Sequence, residues 1–264
     1  RFMKHKGRYV AAPLNVHRLS TLWVNLEVMR GANIALPASW PEFFTAAEAL
    51  RTRGIAPLAH SQQPWQLSVL FEGIALGVGK EDFYSRAFVT RERDALTCPA
   101  MAQVMKIFQA LAPIADGANL QRDWIDATRM VIDGRAAMQV TGDWAKSEFE
   151  AAGLVPERDF ACIPMPGTEG LFDFSVDSLA MFALDGDGLT ASQRTLCQTA
   201  MDPKLQQSFS VNTGAIPARR DLSGAGFDLY ARQGMRLFNS SEAATKLVPA
   251  LDMVVPADIK EIKQ

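Results

Sequence analysis

The sequence predicts an α/β protein built as two lobes. Segments of helical periodicity alternate with short apolar, strand-like runs, most clearly in the second half. The chain has 264 residues, of which 48% are hydrophobic, enough for a substantial core and for two lobes. No internal repeat and no low-complexity tract argues for a solenoid or a linker array.

"YVAAPLNV" (9–16), bounded by charge and carrying a proline, reads as a buried strand. "SWPEFFTAAEALRTRG" (39–54) is the clearest helix. Ser39 and Glu42 have capping-box spacing, Pro41 suits the first turn, and Phe43, Phe44, Ala47 and Leu50 share a face that Gly54 can terminate. Residues 64–79 read as a buried helix despite glycines near the end. In 98–112, Met101, Val104, Met105, Phe108 and Leu111 recur at helical spacing, and Asp123 can cap a helix running to Gly134. Strands are expected at 136–142, 159–164 and 174–184, and helices at about 191–211 and 227–238. Gly/Pro joints at 164–170 and 214–219, with a strand-rich crossing near 165–176, mark a candidate boundary between lobes.

The bulk composition excludes several classes. With 27 basic and 29 acidic residues the formal charge is −2, giving no electrostatic reason to expect nucleic acid or an anionic membrane. Apolar runs are short and interrupted, and "RFMKHKGRYV" has no apolar h-region. Cys98, Cys162 and Cys197 lie far apart and read as small buried side chains, and His5, His17 and His60 lack ligand spacing, so no metal site is expected. No GxSxG elbow, P-loop or strand-coupled GxGxxG is present, and no carboxylate pair can be singled out for acid/base work. No catalytic residue and no cofactor are therefore assigned.

What remains is a set of aromatic, amide and carboxylate residues near turns. "AHSQQPWQ" (59–66) brings His60, Gln63 and Trp65 together in sequence. "GDWAK" places Trp144 where a strand ends and a helix begins, either as core or as an exposed platform. "SVDSLAMF" sets Asp177 in an apolar strand, where its carboxylate needs backbone N–H groups or a ligand hydroxyl. An aromatic face suits the C–H face of a sugar ring, and carboxylates and amides suit its hydroxyls.

Several long stretches resemble one family: "YVAAPLNVHRLSTLWVNLEVMRGANIALPASWPEFFTAAEAL", "PLAHSQQPWQLSVLFE", "VIDGRAAMQVTGDWAKSEF", "IPMPGT", "SVDSLAMFA" and "FSVNTGAIPAR". In order and along nearly the whole chain, they are similar to the solute-binding proteins of ABC sugar importers, nearest to periplasmic glucose/mannose-binding proteins. The resemblance implies a periplasmic binding protein type II-like fold, two α/β lobes joined by hinge strands. It implies a monosaccharide ligand, a membrane permease as partner, a periplasmic location and no chemistry. Trp144 takes the place of a sugar-stacking tryptophan and Asp177 that of a hydroxyl-binding carboxylate, with His17, His60, Gln63, Trp65, Thr213 and Met253 as further ligand-binding candidates.

The chain departs from the pattern in three places. Thr213 stands where a lysine is expected, and Met253 about where a histidine falls; both losses remove strong donors. The family's opening, lobe-forming segment has no counterpart, so the first lobe is expected to be incomplete. On this reading residues 1–11 are a remnant of the first lobe and hinge, 12–165 the second lobe, 166–217 a returning segment of the first, and 218–264 the C-terminal part of the second. A truncated lobe with a structural or interaction role, lacking sugar affinity and prone to self-association, is the alternative; a glycoside-processing enzyme is a weaker third.

Overall fold

The side chains of two strands show how the main sheet is buried. In Thr21–Asn25 (β5), alternate residues Leu22 and Val24 face one hydrophobic cluster and Trp23 the other. In Ala136–Thr141 (β7) every residue is buried, with Ala137, Met138 and Val140 in the first cluster and Ala136 in the second. Both faces are covered, which is why these strands read as nearly continuous apolar runs. The structure is a computed structural model describing residues 3–115, 122–182, 189–240 and 246–254.

The sheet is completed by β6 (Ala56–Ala59) and β8 (Phe160–Pro164) in the order β6-β7-β5-β8; β6 and β7 are parallel and the other pairs antiparallel. One face carries α2 (Trp40–Arg51), α3 (Pro64–Tyr84) and α5 (Pro99–Leu111), the other α6 (Trp124–Ile132) and α7 (Ala145–Ala151). Short helices α1 (Leu26–Gly31) and α4 (Arg93–Leu96) fill connections. Cap chemistry sets the boundaries. Ser39 and Glu42 form the reciprocal capping box of α2, and the Asp123 carboxylate accepts from the Asp126 N–H at 2.8 Å. Helix α3 runs beyond the expected end, bending where Lys80 adopts φ 60°.

A second sheet has the order β11-β4-β9-β12, from Ile216–Pro217, Asn15–Arg18, Phe172–Ser175 and Leu247–Pro249. It packs on α10 (Leu229–Phe238) through Val16, Phe172, Ile216, Ala231 and Met235. Beside it, β3 (Ala11–Pro13) pairs with β10 (Ser178–Ala180), and β1 (Lys4–His5) with β2 (Arg8–Tyr9). The chain closes with α8 (Ala191–Ala200), α9 (Pro203–Thr213) and α11 (Leu251–Val254).

Four expectations are corrected. The strand expected over 9–16 is split at Leu14, because β3 joins β10 while β4 joins β9 and β11. The strand expected over 174–184 is split at Val176–Asp177 for the same reason, and its end lies outside the described residues. The two breaks face each other, with the Leu14 N–H donating to the Asp177 carbonyl at 2.8 Å. The helix expected over 191–211 is two helices, because Asp202 caps a new start and Pro203 occupies its first turn. The three cysteines are free and each is part-buried rather than fully so.

Candidate functional site

The "GDW" stretch is built from its glycine outward. A Cβ on Gly142 would sit 2.2 Å from the Trp144 ring, so only glycine lets the indole fold back over the strand end. Asp143 then faces the second sheet. Its carboxylate accepts the Arg18 N–H at 2.8 Å and meets His17 Nδ1 at 2.5 Å. His17 sits on β4, and its Nε2 lies 3.1 Å from Asp177 and 3.0 Å from the buried Asn15 amide. Burial opposes charge on the imidazole, but the two carboxylates outweigh it and lift its pKa to about 10. The His17 hydrogen bond in turn holds the half-exposed Asp177 below the usual carboxylate range. Asp177 reaches this position because it occupies the break between β9 and β10 rather than a strand interior.

Around this bridge lies a cavity of about 610 Å³ at the junction of the two sheets. Trp65, Trp124 and Trp144 form one wall. The Trp144 ring lies 6.0 Å from Trp65, 6.4 Å from Trp124 and 5.5 Å from the His17 imidazole, each tilted or edge-on. Leu19, Val69, Ser68 and Glu72 line the floor; Ser147, Glu148, Ser175, Asp177, Asn212, Thr213 and Asp252 complete the rim. Thr213 ends α9, where Gly214 turns at φ 80°; a Cβ there would meet the Asp143 carbonyl at 2.2 Å. That close approach docks the end of α9 against Trp144 and brings Thr213 to within 3.3 Å of Asn15.

Glu72 is a buried acid within the floor. Its carboxyl accepts from Ser68 at 3.1 Å, Tyr84 at 3.0 Å and the Leu251 N–H at 2.8 Å. Burial, reinforced by the nearby Asp173 and Asp252, pushes its pKa up to about 8. Among the described residues no cluster of three His, Cys, Asp or Glu is placed to hold a metal ion.

Of the residues singled out from sequence, Trp144, Asp177, His17, Trp65 and Thr213 meet in this cavity, and three do not. His60 is buried next to the end of β6, its ring nitrogens without hydrogen-bond partners among the described residues, and burial pushes its pKa down to about 4. Gln63 begins α3 and accepts a hydrogen bond from the Trp65 indole at 3.0 Å, one step behind the wall. Met253 lies in α11 and is displaced from the cavity by one position, its neighbour Asp252 lining it instead. Trp124, Glu72, Glu148 and Asp252 were missed. Trp124 repeats the pattern of Trp144 at a helix start, and Glu72 is the lone acid within an apolar stretch of α3; both signals were present in the sequence.

Residues 2–183 match the sequence profile of the bacterial extracellular solute-binding proteins. The chain belongs to this family. A relative in Brucella suis, named "probable sugar-binding periplasmic protein", is 36% identical over 234 residues, covering 89% of this chain and 55% of its own length. An ABC transporter extracellular-binding protein of Pyrococcus horikoshii is 28% identical over 93% of this chain and 54% of its own. This chain thus spans about half the length of these curated relatives. Among solved structures, a bacterial solute receptor described as exclusive for β-D-galactopyranose superposes with a TM-score of 0.81 at 17% identity, covering 98% of this chain and 66% of that one. The extracellular solute-binding protein thus has the type II periplasmic binding protein fold expected from its sequence.

Proposed function

We propose that this solute-binding protein is the sugar-capturing component of an ABC importer, working in the periplasm and delivering a monosaccharide of the glucose/mannose kind to a membrane permease without chemical change. The observation that carries the reading is the cavity itself: three tryptophans beside carboxylates, hydroxyls and amides, contributed by strands and helices of both sheets. Flat apolar walls suit the ring faces of a pyranose, and the polar rim suits its hydroxyls. Trp144 is the stacking platform and Asp177, held by His17, a hydroxyl acceptor. Ligand binding draws the two lobes together about the hinge strands.

The test is a calorimetric and tryptophan-fluorescence titration of the ligand-stripped chain against glucose, mannose, galactose and xylose. Saturable binding is expected for at least one sugar. Trp144→Ala should weaken it by about 2 kcal/mol, roughly 30-fold, as for a well-packed aromatic anchor. A folded sample giving neither heat nor spectral change with any of the four overturns the reading. It would favour the alternative of a lobe with an interaction role, for which Tyr9 at 73% exposure and Phe182 at 79% are the supporting observation. Sedimentation of the same sample would then show self-association.

A further inference from the structure

The cavity is unusually one-sided in charge. Glu148, Asp177 and Asp252 line it as carboxylates, Glu72 as an acid that burial keeps protonated up to about pH 8, and among the described residues no Lys or Arg does. The one cationic group, His17, is already engaged by Asp143 and Asp177. Arg18, next in sequence, turns away to the Leu171 carbonyl at 2.8 Å and stacks on Phe172. The carboxyls are not equally available. Glu72 is saturated by three donors, Asp177 is tied to His17, and Asp252 accepts from Ser175 at 3.2 Å. Glu148 has no side-chain hydrogen bond or ion pair among the described residues. It lies four residues after Trp144, the N-cap of α7, a spacing that sets the two on one face, and both line the cavity. An aromatic face next to an unengaged carboxylate is the arrangement that holds an ammonium group, by cation–π attraction and a charge-assisted hydrogen bond.

Resting on the sugar-capturing reading above, we propose that the preferred ligand is a cationic amino sugar, its ammonium group held between Glu148 and Trp144. Neutral hexoses fit the same walls without that contact. Acidic sugars are repelled, because no cation is free to receive their carboxylate.

The test compares glucosamine, glucose, N-acetylglucosamine and glucuronate by calorimetry on the full chain at about pH 6, where an ordinary amine is protonated. Glucosamine should bind about five- to tenfold more tightly than glucose, the margin of a charged over a neutral hydrogen bond. The margin should shrink as salt is raised. N-acetylglucosamine, which keeps the ring and loses the charge, should lose the advantage, and glucuronate should not bind. In Glu148→Gln the glucosamine-to-glucose preference should fall to about one, while it persists in Glu150→Gln, on the same helix but outside the cavity. Glucose or N-acetylglucosamine binding as tightly as glucosamine overturns this proposal alone, as does a preference that survives Glu148→Gln. Binding of none of the four overturns the sugar reading together with it.

Discussion

Two buried groups of the site carry protons that the unfolded chain would release, and this makes stability depend on pH. His17 is raised from 6.5 to about 10 by its carboxylate partners, against the effect of burial. Its contribution is fully present below about 6.5 and is lost as pH rises through about 10. Glu72 is raised by burial from 4.5 to about 8, so between those values the folded state holds a proton the unfolded state has lost. Stability therefore falls with rising pH across that interval and levels off above it for this group. Both effects have the same sign. His60, held near 4 by burial, works the other way between about 4 and 6.5 and offsets Glu72 there. The melting temperature should therefore be nearly level from about pH 5 to about pH 6.5 and decline from there to about pH 9. Glu72→Gln should lessen the slope between about pH 6.5 and 8, where His17 still acts, while leaving the part above it. A melting curve series that rises over this range would contradict the assignment. Glu72 could be noticed in the sequence as one acid in an apolar helix. Its fate could not, because the donors that hold it come from Tyr84 on its own helix and Leu251 far along the chain.

At the scale of elements, whatever is encoded by neighbours in sequence was legible. The capping box of Ser39 and Glu42, the Asp123 cap, and the apolar face of α5 are local patterns with local causes. Breaks at Leu14 and Val176–Asp177 were not, because alternation looks the same whether a strand keeps its partner or changes sheet. That limit matters for function, since the break is what frees Asp177 for the cavity. The "GDW" turn is a middle case. Its glycine is visible in sequence, but its reason, the room needed by the Trp144 ring, is a packing fact. Gly142→Ala is therefore expected to push the indole from its seat, weakening sugar binding by roughly tenfold, with the secondary structure intact by circular dichroism. The strand itself, held by β5 and β6 on either side, gives no reason for global unfolding. Unchanged affinity in this variant would show that Trp144 is not a platform.

At the scale of the whole molecule, the two sheets are joined by a few polar links that cross the site's periphery. Lys146, on α7 of the first sheet, is paired with Asp228, the N-cap of α10 beneath the second sheet. Beside it, Tyr230 donates to Glu157 and packs edge-on to Trp23, so the start of α10 rests on the core of the other body. The Lys146 side chain is almost wholly enclosed, and its charge has no water to fall back on. Breaking such a pair strands one buried charge, whereas removing both ends replaces a desolvated ion pair with apolar contact. Lys146→Ala should thus cost about 3 kcal/mol, the lower end of that class, because Asp228 keeps its capping bond from the Ala231 N–H at 2.9 Å. Lys146→Met combined with Asp228→Asn, which retains a capping side chain, should recover most of the loss. Denaturant melts of the two variants decide the matter: a double variant no more stable than Lys146→Ala would mean that the pair holds α10 by charge, and that the apolar contacts of Trp23, Phe160 and Tyr230 are not sufficient to keep the two bodies together.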